Sequence, residues 1–478
     1  MIKILLRGEF MFKTIIDTIN TFLYSKLLIV ILIGSGIYFT IRTRFPQVRL
    51  FRKACNAVME KPEGKESVSS FQALMVSTAS RVGTGNIVGV SSAICIGGVG
   101  SVFWMWIIAI LGSASALAES TLAQIYKKKG EDGRCYGGPA YYIEAALHSR
   151  GLAVVFCIAM ILTYAFGFNM LASYNLQSTF AGQPFYNADI TPWIIGGILA
   201  LVMGWCLLGG GNRIVKVTST LVPFMGIAYI LVSLLIVVLN IGQLPSVMAQ
   251  IFKEAFDFKA IFAGFAGSAM MQGIRRGLYS NEAGIGSAPN AAASAVVSHP
   301  VKQGLVQMLS VFIDTLLICT ATAMMCLASG TPITKEIAGA GYVQNAVTVA
   351  FGSFGPILIT VCMVLFAFST LIGNFFYVDN CLIFIHKKEP GKSFMTGFRI
   401  LASLVIFVGA GMSMAAAWDI ADILMALMCL INIPACLVLG GTAVKVMKDY
   451  ERQKKEGRDP VFHAADVGLD LDEVEYWK

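Results

Sequence analysis

The chain has few charged residues and few of the side chains that build enzyme or metal centres. Lys, Arg, Asp and Glu make up 13% of its 478 residues, against 56% hydrophobic residues, and the mean hydropathy is +0.72. It has four histidines, and its eleven cysteines are scattered without a CxxC pair. It contains no GxxxxGK[ST] phosphate loop and no nucleophile–base constellation. These absences exclude an ordinary soluble domain and argue against a metal centre, a disulfide framework and an enzyme.

Long apolar segments fill the sequence instead. A membrane-spanning helix needs roughly 20 apolar residues. Eleven segments qualify: 21–41, 68–96, 100–127, 151–180, 190–209, 213–240, 258–280, 301–329, 354–385, 394–412 and 417–447. Because the N-terminal apolar stretch continues into a full span, we do not expect a cleaved signal peptide, and Met11 is an alternative start. We therefore expect an all-α, polytopic membrane protein with about eleven transmembrane helices.

The net charge of +8 becomes informative once the charges are placed in loops. Alternating the loops, with basic residues near the ends of spans counted in the adjoining loop, puts 28 Lys and Arg on one side and seven on the other and leaves only Arg81 inside a span. Basic residues concentrate on the cytoplasmic side of membrane proteins. This bias predicts a multi-pass cell-membrane protein with its N-terminus outside and its C-terminus in the cytoplasm. The basic balance is a topology signal and does not indicate nucleic-acid binding.

The ten spans after the first divide into two halves of five. We expect an N-terminal helix and basic segment over 1–67, inverted repeats over 68–240 and 258–447, and a cytoplasmic tail over 448–478. Each half opens with a span that glycine interrupts. Because five is odd, the halves enter the membrane in opposite directions, and paired broken spans of this kind are typical of transporter binding sites. Close helix packing is the alternative explanation for the glycines.

The first interrupted span contains STASRVGTGNIVGV, residues 77–90. Unwound backbone cannot face lipid, so this stretch must be buried in protein or line a wet cavity. Four of its residues can offer oxygen atoms to an alkali cation, two from the backbone and two from the side chain: Ala79, Val82, Thr84 and Asn86. Gly85 exposes amide groups that a carboxylate could approach. Helix–helix hydrogen bonding is the alternative role for the two polar side chains.

Further polar residues lie at membrane depth. The hydroxyls of Ser369 and Thr370 in the ninth span either bond to their own helix or join a cation site with the first break. Arg81 and Asp314 each lie near the middle of a span, where charges usually have a partner. They could pair directly, form a structural pair or serve as a gate, and Asp314 could also carry a proton.

Arg275, Arg276 and Glu282 lie in a polar, glycine-dense stretch, residues 273–295, after the second interrupted span. We interpret this stretch as a loop on the cytoplasmic side that acts as a closing plug.

At these residues the sequence resembles the alanine-or-glycine:cation symporter family, within the broader leucine-transporter inverted-repeat fold. Five motifs carry the resemblance: RVGTGNIVGV (81–90), GGVGSVFWMW (97–106), YGGPAYYI (136–143), RRGLYSNEAGIGSAP (275–289) and HPVKQGLVQMLSVFIDTLLICTAT (299–322). They extend over much of the chain. The resemblance implies a sodium-coupled importer of a small neutral amino acid, alanine or glycine above all, that works by alternating access.

The resemblance also implies roles for particular residues. One sodium ion would bind the Ala79 and Val82 carbonyls with the Ser369 and Thr370 hydroxyls. Asn86 would belong to a second, substrate-linked ion position. The remaining predicted contacts are with the amino acid itself: Thr84 and Gly85 at its carboxylate, the second break from Gly264 through Gly267 to Ser268 on its opposite face, and Phe168 and Asn169 in the fourth span.

One departure from the family pattern affects the expected substrate. A glutamine and an asparagine are expected soon after the Phe-Asn pair of the fourth span, where this chain has Ala172 and Tyr174. A larger neutral amino acid, such as glutamine or serine, is therefore an alternative substrate. Proton coupling through Asp314 is an alternative mechanism, and an ion channel or membrane enzyme is an alternative of another class. The sequence does not fix the oligomeric state.

Overall fold

The computed structural model describes residues 18–60, 68–207, 210–257 and 267–477. Within these ranges the fold is helical, apart from one antiparallel pair of two-residue strands. Seven helices are long and apolar enough to cross a membrane, and their most apolar stretches are only partly buried within the protein. The protein is thus an all-α, polytopic membrane protein, as predicted.

The elements of the N-terminal half follow in chain order. Helix α1 is a π-helical segment, Leu23–Leu28, that continues as Ile29–Arg42. The next elements are α2 (Pro46–Arg49), α3 (Phe51–Val58), α4 (Ser70–Arg81), α5 (Gly85–Gly97), α6 (Ser101–Ile125), β1 (Lys128–Lys129), β2 (Cys135–Tyr136), α7 (Pro139–Ala146), α8 (Arg150–Ser178), α9 (Thr191–Leu207) and α10 (Gly210–Leu239).

The C-terminal half repeats this order of spans. Its elements are α11 (Leu244–Ala255), α12 (Ala269–Asn281), α13 (Ala288–Ser294), α14 (Pro300–Ala328), α15 (Ala340–Phe351), α16 (Phe354–His386), α17 (Lys392–Ala410), α18 (Met414–Val438) and α19 (Gly440–Lys455). Short 3-10 turns lie at Ile241–Gln243 and Ala464–Val467.

Eleven membrane-crossing units can be recognised among the described residues. The seven long helices are α6, α8, α10, α14, α16, α17 and α18. The shorter α1 and α9 add two more, and the broken pairs α4–α5 and α12–α13 complete the set. Each half therefore opens with a broken helix, which confirms the predicted architecture.

The last predicted span, 417–447, is longer than the helix that the structure contains. Helix α18 ends at Val438, and α19 begins separately at Gly440. Gly440 lies against α1, where a Cβ atom would be 3.2 Å from both the Tyr38 and Phe39 rings. The charged residues that begin at Lys445 belong in water, so the chain leaves the membrane before them.

Local sequence signals explain where several helices begin. Ser69 and Gln72 form a reciprocal capping box at the start of α4, with hydrogen bonds of 3.1 and 3.0 Å. Ser268 and Ser413 cap α12 and α18 in the same position. Proline occupies the first turn of α7 and α14, where its missing N–H is not needed.

The bundle has two distinct ends. The β1–β2 hairpin, the turn after α16 and the C-terminal residues surround one cavity and mark one end, which we call the basic face. At the other end the turn between α5 and α6 meets α11, where the Val99 N–H donates to Glu254 Oε2 at 2.7 Å. Helices therefore run between a basic end and an end with few basic residues.

The predicted tail, 448–478, is folded against the basic face. The Trp477 indole donates to the Gln124 carbonyl of α6 at 2.7 Å, and the Phe462 N–H donates to the Ser298 carbonyl at 2.9 Å. Lys302 bonds both Glu60, at 2.8 Å, and Asp459, at 3.2 Å. Partial burial alone would raise the pKa of Asp459, but hydrogen bonds from Lys454 and Lys302 lower this pKa below its ordinary value.

Candidate functional site

The first helix break lies where the sequence predicts it. Helix α4 ends at Arg81, Val82 leaves the helical conformation, and α5 resumes at Gly85. The Val82 N–H still reaches the Thr78 carbonyl at 2.7 Å, which completes the last turn of α4. Every residue of the break is buried, as an unwound segment at membrane depth requires.

Hydrogen bonds at the break redirect two amides from their helical partners. The Gly83 N–H, which would bond the Ala79 carbonyl in a continuous helix, donates to Asn86 Oδ1 at 2.8 Å. The Asn86 N–H, which would bond the Val82 carbonyl, donates to the Gly83 carbonyl at 3.2 Å. The Ala79 and Val82 carbonyls thereby lose their helical donors, which leaves them able to accept a cation.

The second helix break is not where hydropathy places it. Gly267 and Ser268 lie at the start of α12, at the end of the bundle opposite the basic face, where a Cβ atom on Gly97 would lie 2.6 Å from Gln272. Ser268 is eleven residues before Tyr279, which contacts Gly85. That separation is about 16 Å along a helix. The predicted break at Gly264–Ser268 is therefore wrong for its described part, and Gly264 lies outside the described residues.

The helix instead breaks between α12 and α13, in Glu282-Ala-Gly-Ile-Gly-Ser287. Glu282 and Gly284 both have positive φ angles, 53° and 87°, as does Gly286 at 91°. A Cβ atom on Gly286 would lie within 2.9 Å of Asn432, Pro139 and Phe156, so glycine is required by conformation and by space. The stretch interpreted as a cytoplasmic loop is thus the broken helix itself.

Side chains from other helices satisfy the backbone of the second break. Glu119 of α6 accepts the Gly284 N–H at 3.2 Å, and Asn432 of α18 donates to the Gly284 carbonyl at 2.9 Å. Asn432 also donates to Glu119 at 2.8 Å, so the two residues form one buried clamp. These partners explain how unwound backbone is accommodated inside a membrane protein.

The two breaks meet each other and helix α16. Ser80, one residue before the end of α4, contacts both Glu282 Oε1 and Asn374 Oδ1 at 2.8 Å. A Cβ atom on Gly373 would lie 3.1 Å from the Ala79 carbonyl carbon, so α16 crosses directly over α4 here. These contacts bring the two helix breaks and helix α16 together at the centre of the protein.

The predicted hydroxyl pair on α16 is only partly directed at the first break. Thr370 is buried against Gly83, and its Oγ1 has no hydrogen-bond partner among the described residues. Ser369 is buried too, but its hydroxyl donates to the Phe366 carbonyl of its own helix at 3.0 Å. The back-bonded hydroxyl retains acceptor lone pairs, whereas Thr370 is free to bond a ligand in either role.

Arg81 and Asp314 do not form the ion pair that the sequence allowed. The Arg81 guanidinium points toward the Gln307 carbonyl and side chain, at 3.5 and 3.4 Å. Asp314 accepts hydrogen bonds from Asn86 Nδ2 at 2.7 Å, Ser280 at 2.8 Å and Thr315 at 2.7 Å. Polar side chains, and not the arginine, therefore hold the Asp314 carboxylate next to the first break.

Aromatic rings close the centre of the site. Phe168 and Tyr279 meet edge to face with centroids 4.8 Å apart, and Tyr279 continues onto Trp418 at 4.9 Å. The gap bounded by Phe168, Tyr279, Thr370 and the two breaks measures 210 Å³ between atoms, with no part wide enough for a water molecule. A ligand fits between the breaks only if the side chains that line this gap move.

Three of the four π-helical segments in the described chain adjoin this centre. Gly85–Gly89 follows the first break, Leu162–Gly167 precedes Phe168, and Phe312–Cys319 contains Asp314. A π-helical turn shifts side chains out of the regular helical register and is frequent at functional sites. Asn169 follows one such segment and accepts a hydrogen bond from Asn374 at 2.8 Å. Asn169 therefore helps to position Asn374, which contacts Ser80 at the first break.

Sequence reasoning missed several residues of the site. Asn175 donates to the Thr84 hydroxyl at 3.0 Å, which fixes one residue of the first break. Tyr279, Ser280 and Glu119 were not identified, because each lies in a segment whose partner is distant in sequence. The signal for Tyr279 and Ser280 was present in the RRGLYSNEAGIGSAP motif, read there as a loop.

Arg275 and Arg276 belong to helix α12 and not to a cytoplasmic loop. Both approach Asp422 of α18, at 2.7 and 3.3 Å, and all three side chains are buried or nearly so. Arg275 also lies over the Tyr24 ring and Arg276 over the Trp418 ring, at 4.6 and 3.9 Å. Hydropathy misplaced this stretch because the shared Asp422 carboxylate and two aromatic rings stabilise these arginines inside the protein.

The described residues contain no group of three or more His, Cys, Asp and Glu side chains placed to hold a metal ion. An ion at the first break would therefore rely on carbonyl, hydroxyl and amide oxygens with few carboxylates. Such a neutral oxygen set suits an alkali cation better than a transition metal.

Comparison with known proteins gives the family. Residues 9–464 match the sodium:alanine symporter family. The probable sodium/glutamine symporter GlnT of Bacillus subtilis is 43% identical over 97% of this chain and 95% of its own length. The sodium/alanine symporter AgcS of Methanococcus maripaludis is 35% identical over 93% of this chain and 98% of its own.

A solved structure shows the same fold. The crystal structure of MhsT in complex with L-phenylalanine superposes with a TM-score of 0.56, covering 86% of this chain and 93% of that one at 14% identity. The chain is therefore a transporter and not an enzyme, with sodium as its co-transported ion, and it belongs to the sodium:alanine symporter family.

Proposed function

We propose that the protein imports a small neutral amino acid, alanine or glycine, together with sodium by alternating access. The observation that carries this proposal is the redirection of the Gly83 and Asn86 amides, which frees the Ala79 and Val82 carbonyls beside Thr370. Free carbonyls at a half-helix end attract cations. The first sodium position would comprise these two carbonyls with the Ser369 and Thr370 hydroxyls.

The second ion position in this proposal centres on Asn86. Asp314 accepts a hydrogen bond from the Asn86 amide at 2.7 Å and brings a carboxyl group next to the break. A sodium ion there would bridge the Asp314 carboxylate and the carboxylate of the amino acid. Thr84 and Gly85 would meet that substrate carboxylate, because the N-terminal end of α5 begins at these residues.

The tightness of the site supports a small substrate. A Cβ atom on Gly85 would lie 2.5 Å from the Tyr279 ring, and Phe168 closes the same space from α8. Ala172 and Tyr174, the two departures from the family pattern, are not among the residues that line this gap. They therefore give no reason of their own to expect a larger pocket. Gly267 and Ser268 are too far away to contribute.

Glutamine is the second candidate substrate, because one relative named as a probable sodium/glutamine symporter is 43% identical. Accepting it would require Phe168 and Tyr279 to move farther apart than alanine does. A competition experiment separates the candidates. Purified protein in liposomes with an inward sodium gradient should take up labelled alanine or glycine, and unlabelled glutamine or serine at equal concentration should compete weakly. Stronger competition by glutamine would name it as the substrate.

Proton coupling is the alternative mechanism and centres on Asp314. Uptake that continues after sodium is replaced by an impermeant cation, and is lost in Asp314→Asn, would favour it. Sodium coupling predicts that uptake requires sodium at every external pH. The driving force is adequate, since one charge that crosses about 100 mV supplies roughly 2.3 kcal/mol, or about fiftyfold accumulation.

The orientation follows from the charges. We propose a cell-membrane protein with its N-terminus outside and the basic face in the cytoplasm. The inverted repeats, over 68–240 and 258–447, would rock around the two breaks. Arg81 and Glu282 lie beside the site and would act in gating, since Ser80 links Glu282 directly to the first break.

A further inference from the structure

A second cavity lies at the basic face, away from the two breaks. It occupies 310 Å³ between the end of α1, helix α2 and helix α19. Six of its lining side chains are basic and two are acidic: Arg42, Arg44, Arg49, Lys448, Arg452 and Lys455, with Glu451 and Glu456. Elements from both ends of the chain therefore converge to give this cavity a strongly positive lining.

The two acidic residues do not neutralise that charge. Glu451 pairs with Arg49 at 2.7 Å, and Glu456 pairs with Arg458 at 2.7 Å. Four of the basic side chains make no ion pair with a carboxylate in the part of the chain that the structure describes: Arg42, Arg44, Lys448 and Lys455. A cavity with four uncompensated positive charges is suited to an anion with several oxygen atoms.

A strained turn shapes one wall of the cavity. Arg44 and Phe45 both adopt left-handed backbone conformations, with φ angles of 56° and 52°. Consecutive left-handed residues that are not glycine are unfavourable and persist only where neighbours hold them. Arg49 holds this turn, because it donates to the Arg44 carbonyl at 3.1 Å and to the Thr43 carbonyl at 2.9 Å. The same guanidinium donates a hydrogen bond to Glu451 of α19, so this wall of the cavity is held in place by Arg49.

Exposed apolar side chains adjoin in sequence the residues that line the cavity, where spans end. Phe45 is 61% exposed and Val48 is 82% exposed, directly beside the basic residues of the turn. Ile41 at the end of α1 and Val438 at the end of α18 are also exposed. Exposed apolar residues at the ends of spans are suited to contact acyl chains, and contact here would place the cavity at the depth of the lipid headgroups.

We propose that this cavity binds the phosphate headgroup of an anionic phospholipid. Arg42, Arg44 and Lys448 would contact the phosphate, and the acyl chains would lie against Phe45 and Val48. Basic residues that only set topology need not converge on one cavity, whereas these six do. Basic pockets between spans at the cytoplasmic side are known to favour anionic headgroups. The proposal is independent of the transported substrate.

Lipid binding can be measured without transport. The purified, delipidated full-length protein would receive phosphatidylglycerol or phosphatidylcholine, and native mass spectrometry would count bound lipid. The test variant is Arg42→Gln/Arg44→Gln/Lys448→Gln. The matched control is Lys129→Gln/Lys387→Gln/Lys388→Gln, which removes equal charge from another cavity of the same face, one that five acidic residues also line.

We expect the wild-type protein and the control to retain phosphatidylglycerol in preference to phosphatidylcholine, and the test variant to bind it at least tenfold more weakly. An Arg42→Lys/Arg44→Lys variant should retain binding, which separates loss of charge from misfolding. Equal loss in the test and control variants, or no preference for phosphatidylglycerol in the wild type, would overturn the proposal.

A soluble phosphate compound would present the same phosphate group to the cavity as the lipid headgroup. Val48→Ser should weaken phosphatidylglycerol binding and leave glycerol 3-phosphate binding unchanged, since only the lipid has acyl chains. If glycerol 3-phosphate displaces phosphatidylglycerol at equal concentration and Val48→Ser has no effect, the cavity takes a soluble anion and the lipid assignment is wrong.

Discussion

Asn86 uses both ends of its amide, which explains why this position needs asparagine. Its Oδ1 accepts the Gly83 N–H, and its Nδ2 donates to Asp314. One side chain thereby diverts an amide from the Ala79 carbonyl and positions a carboxylate. A serine could not span both partners, and an aspartate would place a second negative charge beside Asp314.

Asn86→Ala should abolish uptake and lower stability. The change leaves the Gly83 N–H without its partner and removes one of the three side-chain hydrogen bonds to the Asp314 carboxylate, and each loss costs about 1–3 kcal/mol. The measurement is sodium-dependent uptake together with thermal unfolding in detergent. Cys206→Ala, a change at a buried residue that does not line the gap at the breaks, is the control and should be nearly silent on uptake. Normal sodium dependence in Asn86→Ala would contradict the proposed ion position.

Thr370→Val should raise the sodium concentration needed for half-maximal uptake by about tenfold. The valine keeps the shape of threonine but removes an oxygen ligand, and a bond to a charged group contributes about 1.5–3 kcal/mol. Thr370→Ser retains the hydroxyl and should stay within about threefold of wild type. Equal sodium requirements in the valine and serine variants would remove Thr370 from the ion site.

The two broken helices differ in how visible they are in the sequence. The first break stands out because polar residues and glycines interrupt an apolar segment. Helix α12 is polar along most of its length, with Gln272, Arg276, Ser280 and Asn281 all buried by neighbouring helices. Hydropathy therefore placed the second break at the apolar residues before α12. Arg276 forms an ion pair with Asp422 of α18. The two residues are far apart in sequence, so hydropathy could not predict this pairing.

Gly286→Ala should disable the second break. Alanine would be strained at a φ of 91° and would collide with Asn432, Pro139 and Phe156. Gly330→Ala is the matched control, because it has a φ of 72° but open space around it. The strain common to both costs about 1–2 kcal/mol. We expect Gly330→Ala to lower the unfolding temperature slightly and keep uptake, and Gly286→Ala to lose uptake. Equal behaviour of the two variants would show that crowding at the break is unimportant.

At the scale of the whole molecule, span number and fold class were predictable because membrane insertion is governed by length, hydropathy and charge. The fold of the last residues was not predictable in this way. The tail after α19 is polar and looks like a solvated extension, yet Val474 and Phe462 are buried. Lys127 of the β1–β2 region lies 4.0 Å over the Tyr476 ring, so the contacts that hold the tail connect residues far apart in sequence.

Trp477→Ala should destabilise the protein without changing its sodium requirement. The indole is nearly buried, donates to the Gln124 carbonyl and lies over Lys127, and removing it costs about 3–5 kcal/mol. Thermal unfolding of the purified protein measures the loss, and uptake at low temperature measures the remaining function. A change in the sodium requirement at unchanged unfolding temperature would mean that the tail acts on the transport site instead.

Coupled flux tests the central claim most directly. Proteoliposomes without a membrane potential would receive sodium-22 outside, with and without external alanine. We expect alanine to stimulate sodium-22 entry and labelled alanine to enter only with sodium, and we expect both effects to be lost in Asn86→Ala. Alanine entry that leaves sodium-22 entry unchanged, or follows a pH gradient instead, would contradict sodium coupling at the first break.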